Sequence, residues 1–210
     1  MAKSGRTTGF TTGTIASINT SVNVQYQKSC GSGKKFTVGY TNQVVINSST
    51  FSAGGDSGSL IVTNNGQHNP VALLFAGSSN TTIGNPIGEV LTKLGTALGR
   101  TFSFGGGGGA PTPKGHQAGD REPFIPGLES VMPQLPQQAA DRVSAVLKNH
   151  RANLMFQPGV MGVGVGLGRT DNEASIVVYV NKDSAAKPFL PDNLEGIPVT
   201  VILTDQFIAR

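Results

Sequence analysis

The sequence lacks tryptophan, has one cysteine, and carries few charges for its 210 residues. Cys30 stands alone, which excludes an intrachain disulfide and a cysteine metal cluster. Charged residues make up 13% of the chain, about half the usual share. That scarcity argues against coiled coils and helix-rich bundles, which are built on Glu, Lys, Arg, Leu and Ala. No apolar run reaches the roughly 18 residues that a membrane-spanning helix needs. The opening residues, Met1 to Arg6, lead into no apolar stretch of the secretory-signal kind. These absences leave the compartment undetermined, with the cytoplasm as the default. Disorder along the whole chain is excluded by 37% hydrophobic residues and a net charge of only +4.

Glycine is what the chain has in excess. It occurs 29 times, roughly twice the average usage. With Ser, Thr and Asn it favours short strands joined by turns. Charge is uneven: residues 1–104 hold seven basic and two acidic side chains, and residues 105–210 hold nine and ten. The basic residues of the first part, Lys3, Arg6, Lys28, Lys34, Lys35, Lys93 and Arg100, are scattered. Without clustering or interleaved aromatics they give no nucleic-acid site.

Composition divides the chain in three. Five consecutive glycines at 105–109, then Pro111 and Pro113, and further prolines to Pro136, read as a linker over 105–136. No Gly-Lys-Ser/Thr follows the glycines, so they are not a phosphate loop. Residues 1–104 read as β. Val22 and Val24 alternate with polar residues, as do Phe36, Val38 and Tyr40, and short apolar runs lie at 44–46, 60–62 and 71–75. Val90, Leu91, Leu94 and Leu98 have helical spacing and predict one helix after Pro86. Residues 137–210 read as a small α+β domain. Val143, Val146, Leu147, His150 and Leu154 share a helix face, and strands are predicted near 160–166, 176–180 and 199–203. Gly162, Gly164 and Gly166 suggest that one face of the first of these strands needs close approach. They are no dinucleotide motif, because the helix precedes them and a strand follows. No cofactor motif and no metal-ligand spacing occurs.

One constellation carries chemistry: Phe51-Ser52-Ala53-Gly54-Gly55-Asp56-Ser57-Gly58-Ser59, followed by the apolar Leu60, Ile61 and Val62. A nucleophilic serine needs a sharp turn that exposes Oγ, free N–H groups for a developing oxyanion, and small neighbours. Gly-Asp-Ser-Gly before an apolar strand supplies all three. Gly55 permits unusual backbone angles, and Asp56 can fix the loop through hydrogen bonds or an ion pair. The same residues also read as a plain polar turn between strands.

The surroundings favour the first reading. Residues 3–15, 51–62, 70–78 and 85–87 resemble, in order, the C-terminal barrel of trypsin-like serine peptidases. Within that family they resemble the branch that includes the plant Narrow Leaf 1 proteins and their bacterial relatives. The resemblance implies a mainly β fold, one β-barrel half of a two-barrel enzyme, with the α+β domain after the linker. It implies Ser57 as nucleophile of peptide hydrolysis through an acyl-enzyme, with an oxyanion hole from Gly55 and Ser57. Leu74, Phe75, Ala76 and Gly77 would be the strand along which a peptide or protein substrate lies. Phe51, Ser52 and Ala53, with Gly54 beside them, and Ile83 with Gly84 would line the specificity pocket. Phe51 at its base disfavours a basic side chain.

Residues 158–166, 176–180 and 196–202 resemble the small domain of the same bacterial relatives. There it precedes the peptidase. Joining Arg210 to Met1 would restore that order, with the His- and Asp-bearing barrel falling between. The chain is therefore expected to be a fragment, a tandem-copy junction, or the partner of a chain or second copy that completes the site. No histidine here sits in a matching motif. His68 is in a turn past the 60–62 strand, His116 in the linker, and His150 on the apolar helix face. The alternative expectation is a non-catalytic protein-binding module.

Overall fold

The computed structural model describes residues 1–29, 32–104, 135–168 and 173–210. The predicted linker up to residue 134, Cys30 and His116 lie outside the described residues. Two short strands, β1 (Ala2–Gly5) and β2 (Gly9–Thr12), precede two of sixteen residues each, β3 (Thr14–Ser29) and β4 (Ser32–Asn47). Then come β5 (Leu60–Val62), β6 (Pro70–Gly77), β7 (Thr81–Pro86) and helix α1 (Ile87–Leu98). Helix α2 (Gln137–Phe156) is followed by β8 (Val160–Leu167), β9 (Ala174–Asn181), β10 (Asn193–Leu194), β11 (Ile197–Thr204) and β12 (Ile208–Ala209).

The fold is mainly β, and its strands form one connected sheet in the order β10-β11-β9-β8-β3-β4-β7-β6-β5-β1-β2. Strand β12 pairs with both β3 and β6. That closes a five-stranded barrel, β3-β4-β7-β6-β12, back onto β3. Pairing is antiparallel except where β12 meets β3 and β11 meets β9. The joint is β3. One edge takes β4 along its whole length, while the other takes β8 from Ser17 to Val22 and β12 at Gln25.

A strand can serve both an open sheet and a closed barrel only if it bends. The β3–β4 register shifts at three places between Ile15 and Val22. Asn19 and Asn42 take φ values of 46° and 58° there. Asparagine tolerates this left-handed region better than other residues with a Cβ.

Residues 1–104 and 137–210, which composition separates, thus share a sheet. They also share a core. Val22, Val24, Val45, Ala76 and Ile83 pack with Met161, Val177, Tyr179 and Phe207. The buried Tyr179 hydroxyl lies 2.7 Å from Ser17 Oγ, which is 2.8 Å from Thr20 Oγ1. A second core lies under α2, whose buried residues are Ala140, Val143, Val146, Leu147 and Leu154. The predicted helix stripe supplies four of these five, while His150 is half-buried at its margin. A third core joins Val44, Ile46, Phe51, Ile61, Val71, Ala72 and Leu74 beneath the serine loop. Helix α1 ends at Gly99 in the left-handed region, as its sequence allows, but buries none of its residues.

The Gly162–Gly164–Gly166 series lies where β8 runs against β3. A Cβ on Gly164 would collide with the Thr20 side chain, and one on Gly166 with the Ala16 carbonyl oxygen. Gly166→Ala should therefore destabilise the protein by about 1–3 kcal/mol, the usual cost of overpacking. Gly168→Ala, whose Cβ would meet nothing nearer than 3.5 Å, should stay within about 0.5 kcal/mol of wild type. Urea midpoints of the two variants check this; equal midpoints would disprove the close approach of β8 to β3.

Candidate functional site

The loop between Ala53 and Ser59 is held by an ionised carboxylate. Asp56 is buried, and its side chain gathers donors from three directions. Thr7 N–H donates to Oδ1 at 2.7 Å and Thr8 N–H at 3.3 Å, while the Thr8 hydroxyl donates to Oδ2 at 2.7 Å. Ala53 N–H donates to Oδ2 at 3.0 Å from within the loop itself. Lys3 Nζ lies 3.4 Å from Oδ2, with both side chains fully buried. Lys3 also donates to the Thr8 hydroxyl at 2.5 Å and to Gly9 O at 3.2 Å. Burial by itself pushes the Asp56 carboxyl up. The donors from Ala53, Thr8 and Thr7 outweigh it and hold the carboxyl well below the usual range.

The β1–β2 hairpin supplies most of these donors. Its turn, residues 6–8, folds over the loop, with Gly5 paired to Gly9. Gly5 has to be glycine, because a Cβ there would lie 2.5 Å from Asp56 Oδ1. Gly55 has a φ of 97° and is packed by Arg6 and Thr7, and the Thr7 hydroxyl donates to Gly54 O at 2.9 Å. On the other side, Gly58 N–H donates to Leu74 O and Leu74 N–H to Ser59 O, at 2.8 and 3.0 Å. The loop is thereby tied to β6.

Between these anchors Ser57 is exposed. Among the described residues no group hydrogen-bonds its hydroxyl, and no acceptor takes the N–H of Gly55 or of Ser57. The arrangement is an unengaged hydroxyl in a rigid loop with two free N–H groups and a basic residue, Arg6, against Gly55. Such a loop can present a nucleophile or hold an anion.

No family model matches the chain, nor does any curated protein or solved structure. The chemistry of the site therefore rests on its own geometry.

The other sequence-predicted residues divide into two groups. Phe51 is fully buried in the core under the loop, with Lys3 Nζ 5.9 Å from its ring centre and its carbonyl accepting from Thr11 Oγ1 at 2.7 Å. Ile83 is a core residue too, and the open side of Gly84 faces Ala72 and Ile61. Ser52, Phe75, Ala76 and Gly77 gather instead around the segment 207–210. Ile208 and Ala209 pair antiparallel with Gly77 and Ala76, and Arg210 N–H donates to Phe75 O at 3.0 Å. The Arg210 guanidinium donates to the carbonyls of Ser52 and Ser78.

The described histidines are elsewhere. His68 is exposed in the turn after β5, with a φ of 52°, and His150 on α2 bonds Glu195 at 2.7 Å. Among the described residues no three of His, Cys, Asp and Glu come together as metal ligands. Sequence reasoning missed Lys3, Thr7 and Thr8 as the groups that hold Asp56, and Arg210 as a neighbour of Ser52. A lysine in a four-residue strand carries no sign that it will be buried.

The low carboxyl pKa of Asp56 fixes the sign of an acid dependence. The unfolded chain takes up the proton first, near an ordinary value of about 3.9. Stability from this carboxylate is complete above that value and is lost as pH falls toward the folded one. The melting temperature should drop between about pH 4 and pH 2, and the drop should be shallower in Asp56→Asn. Lys3→Met should cost about 1–3 kcal/mol at neutral pH, because it removes the counter-charge of the buried Asp56 carboxylate while its four hydrogen bonds remain. Equal slopes in the acid melts, or a neutral Lys3→Met, would contradict this account.

Proposed function

We propose that residues 51–59 form the nucleophile side of a serine-peptidase-type site, with Ser57 Oγ as the attacking atom. The observation that carries this reading is the exposed, unengaged Ser57 hydroxyl in a loop pinned by Asp56. The N–H groups of Gly55 and Ser57, both without an acceptor among the described residues, are the donors for the oxyanion. Asp56 acts as a strut rather than as the orienter of a base, since its oxygens are taken up by Thr7, Thr8, Ala53 and Lys3. The resemblance of residues 1–104 to a trypsin-like barrel supports the same assignment.

A serine of this type needs a base within about 3 Å of its hydroxyl. His68 and His150 are placed and partnered elsewhere. The base would come from residues outside those described, from a second copy, or from a His/Asp-bearing partner chain. Without one, only a small residual rate from oxyanion stabilisation remains. That same observation favours a second reading, a peptide-binding module whose serine does no chemistry.

A fluorophosphonate probe separates the two. Slow labelling of the chain, located at Ser57 by mass spectrometry and abolished in Ser57→Ala, is the expected result. A chain that takes no label at Ser57, alone or with a candidate partner, would rule out the reactive serine and leave the binding module.

A further inference from the structure

We propose that the outer half of the β3–β4 hairpin binds single-stranded nucleic acid, with Tyr26 and Phe36 as a stacking platform and Lys28, Lys34 and Lys35 as phosphate contacts. This site is separate from the serine loop and does not depend on the chemistry of that loop.

The hairpin outruns the sheet. Strand β3 pairs with β8 as far as Val22 and with β12 at Gln25, and β4 pairs with β7 from Val44 onward. Further out, the two strands pair with each other alone among the described residues, Tyr26 opposite Phe36 and Gln27 opposite Lys35. Strand alternation puts Lys28 on the face of Tyr26 and Lys34 on the face of Phe36, with Lys35 on the opposite face. The basic residues of the first part are scattered in sequence, but the hairpin gathers three of them around aromatic rings.

Those rings form a row. Phe36 stacks on Tyr26 with centroids 5.7 Å apart and 21° between the planes. The Tyr26 and Tyr40 hydroxyls lie 2.6 Å apart, and the Tyr40 ring is 4.8 Å from that of Phe75. Tyr26, Tyr40 and Phe75 rest against the core that holds Val22, Val24 and Phe207. Phe36, at the outer end, is 48% exposed, and Tyr26 is its one ring contact among the described residues. A cross-strand aromatic pair stabilises a hairpin, but burial does not account for a ring left half in water. A ring backed by a stacked neighbour and open on its other side is a platform for a nucleobase.

The charge along this arm has one sign. Residues 1–55 contain no Asp or Glu. Lys28, Lys34 and Lys35 are exposed, and among the described residues none has an ion-pair partner. Past Tyr40, Glu89 accepts from Asn42 and lies 4.0 Å from Lys93, which bounds the basic stretch on that side. Three unpaired ammonium groups beside an open ring match a strand that alternates phosphates with planar bases. A duplex keeps its base faces stacked inward, and an acidic peptide makes no use of the ring. Phosphate contacts supply affinity and every base has a stacking face, so the site should show little sequence preference.

A fluorescein-labelled oligothymidylate of about twelve nucleotides, titrated by anisotropy against the full chain, tests this. Binding should fall in about the 1–100 μM range at low salt. Three phosphate contacts on a single strand predict a loss of about 20-fold between 50 and 200 mM salt. Replacing all three lysines (Lys28→Gln, Lys34→Gln, Lys35→Gln) should weaken binding about tenfold or more at 50 mM and remove most of the salt dependence. Phe36→Leu keeps the apolar cover but removes the ring, and should weaken binding about tenfold at either salt, with Phe36→Trp restoring it. Lys93→Gln on α1 should leave affinity unchanged. No binding at about 100 μM chain in low salt overturns the inference. So does full affinity in a folded Phe36→Leu, or a loss in Lys93→Gln equal to that of the hairpin lysines. Should Phe36→Leu fail to melt cooperatively, the salt dependence of the triple lysine variant decides. Tighter binding to a duplex of the same length, or to an oligoglutamate of the same charge, also overturns it, in favour of duplex or of an acidic protein segment.

Discussion

Strand β3 has two edges, and the molecule uses both. On one edge β4 continues into β7 and β6, which bend round as the wall of a barrel. On the other, β8 begins the sheet that α2 covers, and a few residues later β12 begins to close the barrel. A sixteen-residue strand with straight register could serve only one of these partners. The bulges near Asn19, and the side-chain-free strip that Gly162, Gly164 and Gly166 leave on β8, allow β3 to serve both. Segments far apart in sequence then share a hydrophobic core, and Tyr179 can reach Ser17.

Among the described residues the fully buried charged side chains sit together. Lys3 and Asp56 are buried together, and their value is geometric more than energetic. A buried pair of this kind gains little net stability over an apolar pair, but it is costly to break. Four donors on one carboxylate fix the backbone from residue 53 to 56, and the ties of Gly58 and Ser59 to Leu74 fix its continuation. Ser57 projects from a loop that is held on both sides. The β6 strand that anchors this loop also pairs with β12 at Ala76 and Gly77, so loop, strand and segment 207–210 form a single unit.

Much of this was legible in the residues. The α2 stripe, the 60–62 strand, the helix after Pro86 and the need for close approach along 162–166 follow from periodicity and from what glycine permits. The loop at 53–59 was legible as a sharp, small-residue turn with an acid at its centre. Other parts were not. The first half of β3 reads as polar, because Ser17 and Thr20 are buried by bonding each other and Tyr179 rather than by being apolar. Strands β1, β2 and β12 are too short to show alternation, and their pairing partners are distant in sequence.

The sequence by itself determined the local geometry: where the chain turns, which helix face is apolar, and which serine sits in a glycine loop. These depend on φ preferences and spacing within a few residues. Tertiary structure alone decided that Asp56 is buried and braced by Lys3, Thr7 and Thr8, that Phe51 goes to the core, and that Arg210 reaches Ser52 and Ser78. Each of those outcomes depends on which strand edges meet, and an edge is satisfied by any backbone that reaches it. Side-chain pattern within a segment carries no record of that partner.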